Sequence, residues 1–153
     1  MLSSANTYSY AKRTSTLYDY VTGLQPQRLE VSGADSWYWF GDHNMTTWSN
    51  FLSQYEHFHR PLFASRARGD AVSLSFGVAA AGTGVPFHVH GAAFSETLFG
   101  RKRWLLSPPK AAPRFDPDEP TLRWSRANTA PLDCTVAAGE AIYVRLRGER
   151  PSL

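Results

Sequence analysis

Cysteine is almost absent from this sequence, since Cys134 is the only one in 153 residues. A single thiol cannot form an internal disulfide, so a hydrophobic core must hold the fold, and the cysteine content neither requires nor excludes an oxidising compartment. No stretch approaches the roughly 18 consecutive apolar residues of a membrane helix. These two absences exclude a small disulfide-stapled domain and a helical membrane span.

A strong charge of either sign is also missing. The formal net charge is +3, from 16 Lys and Arg against 13 Asp and Glu, and the excess is spread along the chain. Nucleic-acid binding normally needs a concentrated basic surface, so we expect no nucleic-acid partner. The first residues lack the basic start and apolar stretch of a secretory signal, so we expect no signal peptide in this chain.

The chain is rich in hydrophobic residues, at 42%, and in aromatic residues, at 14%, which is typical of one globular domain. Short apolar or alternating runs bounded by glycine and proline predict most of the elements as strands. We predict strands within residues 36–40, 71–78, 94–99, 103–106, 132–136 and 141–144, an amphipathic helix over residues 46–57, and a helical turn near residues 122–126. This pattern predicts a mainly β fold of cupin type, a barrel or sandwich, with a helical N-terminal part.

The most informative motif is the pair His88 and His90, which follows a glycine-rich approach over residues 82–87. If residues 88–90 form a strand, the two side chains point to the same face, because strand side chains alternate with a period of two. Two imidazoles on one face can bind a divalent metal. The alternative is a pair of hydrogen-bonded histidines at a barrel mouth, and the spacing alone favours this alternative because His-x-His matches are common.

A third ligand is harder to find. An iron site of the facial-triad type needs three protein ligands, and no histidine follows His90. The other histidines, His43, His57 and His59, all precede the predicted barrel, where we expect surface or capping roles. The candidate metal ligands in this sequence are therefore two, His88 and His90, and we assign no catalytic residue.

The order of these motifs resembles the JmjC (jumonji C) domain of the cupin superfamily. The resemblance covers residues 76–144: a strand, the glycine-rich approach, the His-x-His pair, the Gly-Arg-Lys-Arg-Trp segment at residues 100–104 and the Gly-Glu turn before residues 141–144. It implies a double-stranded β-helix, or jelly roll. It also implies an Fe(II)- and 2-oxoglutarate-dependent dioxygenase, in which the metal activates oxygen, 2-oxoglutarate is decarboxylated and a protein side chain is hydroxylated.

The resemblance also assigns individual residues. His88 takes the first position of the family's His-x-Asp or His-x-Glu pattern, whereas His90 stands where the carboxylate is usual. Lys102 aligns with the family lysine that binds the distal carboxylate of 2-oxoglutarate. The alternative for Lys102 is a surface cation in an Arg-Lys-Arg turn. If Lys102 points inward, alternation along the strand sends Arg101 and Arg103 outward and Trp104 inward.

The C-terminal part departs from the family. After residue 144 a short basic tail, residues 145–153, replaces the segment that holds the family's third ligand. We therefore expect three parts, with an N-terminal extension over residues 1–70 and a partial barrel over residues 71–144 preceding the tail. A jelly roll that is incomplete at its C-terminal edge exposes an open strand edge, through which copies could self-associate.

Two functions follow from these features. The first is a protein of the Fe(II)/2-oxoglutarate-dependent hydroxylase type that is inactive in this truncated form because the distal histidine is missing. The second is a non-enzymatic protein-interaction module on a cupin scaffold, with an unknown protein partner. The resemblance also implies an endoplasmic-reticulum lumenal parent protein, which agrees with the glycosylation sequon at Asn44. Without a signal peptide this chain would remain in the cytoplasm.

Overall fold

The computed structural model describes residues 2–4, 11–23, 37–41, 75–91, 93–108, 116 and 118–144. These ranges contain eight strands and two helices, in the chain order β1 (Leu2–Ser4), β2 (Lys12–Arg13), α1 (Leu17–Gly23), β3 (Trp37–Gly41), β4 (Phe76–Val78), β5 (Ala93–Glu96), β6 (Arg101–Leu106), α2 (Thr121–Trp124), β7 (Leu132–Ala137) and β8 (Ala141–Val144). Most elements are strands, which confirms the predicted β-rich class.

The N-terminal strands form an antiparallel sheet in the order β2-β1-β3-β4. The aromatic run that predicted a strand at residues 36–40 is β3. The rings of Trp39 and Phe76 of β4 pack in a T-shaped arrangement, with ring centres 6.5 Å apart. The predicted helix over residues 46–57 and the predicted boundary at residue 70 lie outside the described residues. Within this sheet, β4 pairs directly with β3, so residues from both sides of that boundary share one sheet.

Helix α1 begins with a cap that the sequence encodes. The hydroxyl of Thr16 accepts a hydrogen bond of 3.0 Å from the backbone N–H of Asp19, as the first residue of a Thr-x-x-Asp capping motif does. The helix buries Tyr20 completely, and the Tyr20 hydroxyl donates to the carbonyl of Trp37 at 3.2 Å. One residue therefore attaches the helix to strand β3.

The remaining strands form two antiparallel ladders that are nested in the chain. The outer strands β5 and β8 pair with each other, and the inner strands β6 and β7 do the same. The connections between them meet at Thr97, which donates its N–H to the Glu140 carbonyl at 3.0 Å and accepts the N–H of Gly139 at 2.9 Å. Nested antiparallel pairing is compatible with a jelly roll. The described strands form these separate sheets and no closed barrel.

The predicted turn between the last two strands is confirmed. Gly139 has a positive φ of 84°, and the Glu140 carboxylate accepts the backbone N–H of Ala137 at 2.7 Å. The turn returns the chain so that β8 lies beside β5, with Ser95 opposite Ile142. The loop after β6 also contains the predicted helical turn, as α2, and this helix buries Trp124.

Candidate functional site

The approach to the histidine pair is held by helix α2. The Thr121 hydroxyl donates a hydrogen bond to the carbonyl of Val85, 36 residues earlier in the chain. Two residues further on, the Phe87 ring meets the Trp124 ring edge to face, with centres 4.7 Å apart and an interplanar angle of 76°. Pro86 lies between these two anchors and is fully buried. The backbone that leads into His88 is therefore fixed on both sides of Pro86.

The histidine pair lies outside any strand, so the strand geometry that would place both side chains on one face is not present. Pro86 has no N–H for a ladder, and within the described residues no strand pairs with residues 88–90. The two rings are nevertheless neighbours, with centres 5.7 Å apart and an interplanar angle of 61°. The side chains thus come together through local backbone geometry rather than through strand alternation.

Both rings use the same nitrogen for a backbone contact. His88 Nδ1 lies 3.0 Å from the Pro86 carbonyl oxygen, and His90 Nδ1 lies 3.3 Å from the Gly91 carbonyl oxygen. A carbonyl oxygen only accepts, so each contact is a hydrogen bond when Nδ1 carries the proton. In the neutral imidazole the lone pair is then on Nε2. Metal-binding histidines show the same arrangement, in which the second nitrogen donates to a carbonyl or carboxylate.

The separation of the two ring centres, 5.7 Å, is near the value for two histidines on one ion. Imidazole nitrogens bind divalent metals at about 2.0–2.1 Å, which places the centres of two rings on one ion roughly 5 Å apart. Both histidines are exposed, and so is Val89 between them, at 86%. Across the described ranges, no group of three or more His, Cys, Asp and Glu side chains is arranged to hold a metal. His43, His57 and His59 lie outside those ranges.

Lys102 lies on the face of β6 that also carries Trp104, as alternation predicted. Its ammonium sits over the Trp104 ring, with Nζ 4.1 Å from the ring centre. Much of the side chain is exposed, yet the protein around the ammonium removes enough water to lower the pKa of Lys102. Among the described residues no carboxylate pairs with it, and no hydrogen bond or ion pair joins it to His88 or His90.

The neighbouring arginine lies on the opposite face of the same strand. Arg103 donates from Nε and Nη2 to the two carboxylate oxygens of Asp133, at 2.8 and 2.6 Å. The hydrogen bond and the charge of Arg103 lower the pKa of Asp133. Asp133 thus pairs with Arg103 on one face of the ladder, whereas Lys102 on the other face is a cation stabilised by an aromatic ring.

The structure brings together His88 and His90 and adds two residues that the sequence did not single out. Thr121 and Trp124 hold the approach to His88, but only the helical turn that carries them had a local signal. Their docking on residues 85–87 joins segments 36 residues apart, and no periodicity encodes such a contact. Asn44 lies outside the described residues, so its glycosylation stays a prediction. None of the helices among the described residues has the length and apolar character needed to cross a membrane.

The chain is similar to curated proteins named JmjC domain-containing protein 8. It is 47% identical to those of Rattus norvegicus and Mus musculus over 150 residues, which cover 93% of this chain and 54% of each relative. The Homo sapiens protein is 45% identical over 150 residues, with 93% of this chain and 55% of the relative covered. The chain spans about half the length of the curated relatives it matches. No family model matches the chain, and no solved structure does.

Proposed function

The chain belongs to the JmjC-domain proteins, and from that premise we propose that it is a divalent-metal-binding protein of the Fe(II)/2-oxoglutarate oxygenase type. His88 and His90 supply the two protein ligands, and Lys102 binds the distal carboxylate of 2-oxoglutarate. When bound, Fe(II) and 2-oxoglutarate supply oxygen activation coupled to decarboxylation of the co-substrate. By itself this chain provides no turnover.

The orientation of the imidazoles carries the metal-binding part of the proposal. Each Nδ1 contacts a backbone carbonyl, at 3.0 Å for His88 and 3.3 Å for His90, so each Nε2 is the available donor. These contacts favour the tautomer with the proton on Nδ1, which leaves Nε2 available for a metal. Two ligands alone hold an ion less tightly than three, so the expected affinity is modest.

The charge of Lys102 supports the co-substrate part. Its ammonium is partly desolvated and has no carboxylate partner among the described residues, and a dicarboxylate would supply the missing negative charge. Trp104 restricts where the ammonium lies, since a cation over an aromatic face is held there by the ring quadrupole.

The absence of turnover is proposed from the ligand set. By resemblance to the family, His90 stands at the position of its carboxylate ligand. Neutral imidazoles give the metal no negative charge to tune it for oxygen activation. The same substitution favours a second function, a non-enzymatic module that binds protein partners. The exposed aromatic ring of Phe99, 95% accessible at the turn between β5 and β6, would suit such a contact.

The test compares the wild-type chain with His88→Ala under anaerobic conditions. Thermal unfolding is recorded alone, with Mn(II) in place of Fe(II), and with Mn(II) plus N-oxalylglycine, an unreactive analogue of 2-oxoglutarate. Succinate formation from 2-oxoglutarate is then measured in air with Fe(II). Val89→Ala is the matched control, because it truncates the exposed side chain between the two ligands.

We expect Mn(II) to raise the unfolding temperature of the wild type and of Val89→Ala but not of His88→Ala, with no succinate above the protein-free background. An unfolding temperature that Mn(II) does not change would remove the metal-binding proposal and leave the interaction module. Succinate formation that depends on His88 would instead show an active oxygenase and contradict the proposed absence of turnover.

A further inference from the structure

Pro86 lies between two residues, Val85 and Phe87, that both contact the short helix α2. The carbonyl of Val85 accepts from Thr121, and the ring of Phe87 packs against Trp124 at 4.7 Å. Pro86 between them is fully buried, and its own φ is fixed by the ring. The direction of the Pro86 carbonyl is therefore determined by α2.

That carbonyl is the hydrogen-bond acceptor of His88 Nδ1, at 3.0 Å. A ring that donates through Nδ1 has its orientation and its tautomer set by the acceptor. The link runs from α2 to the backbone at residues 85–87, and from there to the imidazole of His88. We propose that Thr121 and Trp124 are positioning residues for the metal site, acting on His88 through the Pro86 carbonyl. This inference rests on the proposed metal-binding function.

The other histidine provides an internal comparison. His90 Nδ1 contacts the carbonyl of Gly91, which lies beyond the segment that α2 holds. A change in α2 should therefore disturb the tautomer of His88 and leave that of His90 unchanged. A general loss of structure would affect both rings, so the difference between them separates positioning from stability.

Helix α2 is also stabilised by hydrogen bonds that do not involve Thr121. The Asn128 side chain donates to the carbonyl of Trp124 at 2.9 Å, and the Ser125 hydroxyl donates to the carbonyl of Leu122 at 2.9 Å. Trp124 is buried. A Thr121→Val substitution removes the hydroxyl donor at nearly constant volume, and Thr121→Ser restores the hydroxyl without the methyl group.

A matched control exists in the N-terminal sheet. The Tyr20 hydroxyl also donates to a backbone carbonyl, that of Trp37, at 3.2 Å. Tyr20→Phe removes a hydroxyl-to-carbonyl hydrogen bond, just as Thr121→Val does. Tyr20 and Trp37 are far from residues 85–91 in the chain. Phe87→Leu is a second test variant, because it removes the aromatic contact with Trp124 while keeping an apolar side chain.

Two measurements are made on the full chain. The first is titration with Mn(II), following the free ion by electron paramagnetic resonance. The second is nitrogen-15 NMR of the imidazole rings in the metal-free protein, which reports the tautomer of each histidine. We expect Thr121→Val and Phe87→Leu to weaken Mn(II) binding by about 3- to 10-fold. Loss of a group that hydrogen-bonds directly to a metal ligand typically weakens binding by about 10- to 100-fold, and these two residues act one step further away. Thr121→Ser should restore it, and Tyr20→Phe should leave it unchanged.

In the metal-free protein we expect His88 to change from the Nδ1–H tautomer to a mixture in Thr121→Val, while His90 does not change. An unchanged His88 tautomer, or equal weakening of Mn(II) binding by Tyr20→Phe, would overturn the inference. A wild type that binds no Mn(II) would remove the proposed function. The tautomer measurement still decides whether α2 orients His88, so the two failures are distinguishable.

Discussion

The ammonium of Lys102 lies over the face of the Trp104 ring, with Nζ 4.1 Å from the ring centre. The two residues are two apart on β6 and therefore share a face, while Arg103 between them turns to Asp133 on the other side. A cation held by a ring keeps its N–H groups available for an anion, whereas a cation bound to a carboxylate does not. The family resemblance makes Lys102 the candidate for the co-substrate, and the contact with Trp104 is consistent with that role because it leaves the ammonium without a carboxylate partner among the described residues.

The first prediction concerns this cation. Lys102→Met should abolish the extra thermal stabilisation that N-oxalylglycine gives in the presence of Mn(II), because the methionine side chain offers no charge to the distal carboxylate. Lys102→Arg should keep part of it, since the guanidinium retains the charge with a different geometry. Arg101→Met is the control, as Arg101 is exposed and belongs to the other face of β6. A loss that is equal in Lys102→Met and Arg101→Met would contradict the assignment.

The second prediction concerns the ligand that departs from the family pattern. His90→Asp introduces the carboxylate of the His-x-Asp pattern beside His88, and an added negative charge should strengthen binding of a hard divalent ion. We expect Mn(II) to bind His90→Asp at least as tightly as wild type and His90→Ala about 10-fold more weakly or worse. Val89→Asp places the same charge at the adjacent exposed residue and should change the affinity much less. The measurement is the same Mn(II) titration.

The third prediction concerns the ion pair between Arg103 and Asp133. The pKa of Asp133 is lowered in the folded chain, first by the hydrogen bond from Arg103 and then by its charge. In acid the unfolded chain therefore binds more protons than the folded chain. The stabilisation that the pair gives to the folded chain is fully present above the pKa of an unfolded Asp, about 3.9. It is lost as the pH decreases through the lowered pKa.

Urea unfolding at neutral and acid pH checks this sign. Asp133→Asn should be slightly less stable than wild type at pH 7, because both partners are exposed and such pairs contribute little. The difference should disappear in acid. Arg103→Gln should cause the same loss, and the double variant should add nothing to it. A difference that grows as the pH falls would contradict the assignment.

The fourth prediction concerns the turn that joins β7 to β8. Gly139 has a φ of 84°, and a Cβ built on it meets no heavy atom within 4 Å. The cost of Gly139→Ala is therefore conformational, about 1–2 kcal/mol of unfolding free energy. Gly23→Ala is the control, because its Cβ also meets nothing and its φ lies outside the left-handed region. Chemical denaturation should show destabilisation by Gly139→Ala alone.

The sequence predicted the elements better than it predicted the site. Alternating residues identified β7 and β8, and the glycine between them identified the turn. The Thr-x-x-Asp cap of α1 is present in the sequence, but a helix of this length has too few apolar positions to show a period. The nested pairing of β5 with β8 is a long-range relationship, and no local pattern in the sequence describes it.

The geometry of the site depends on contacts that local sequence patterns do not encode. Alternation along a strand suggested that His88 and His90 share a face, yet the segment is not a strand and the rings come together through local backbone geometry instead. The docking of Trp124 on Phe87 depends on the path of the loop between β6 and β7, and no local pattern describes that path. For Lys102 and Trp104, alternation was correct, since both lie within a regular ladder.

The central claim is that His88 and His90 together bind one divalent ion. The most direct measurement is an anaerobic Mn(II) titration of the purified chain followed by electron paramagnetic resonance, which gives the number of ions bound and their affinity. The account predicts one ion per wild-type chain, one ion for Val89→Ala and none in the same concentration range for His88→Ala or His90→Ala. Binding that persists at full occupancy in both histidine variants, or no binding by the wild type, would contradict it.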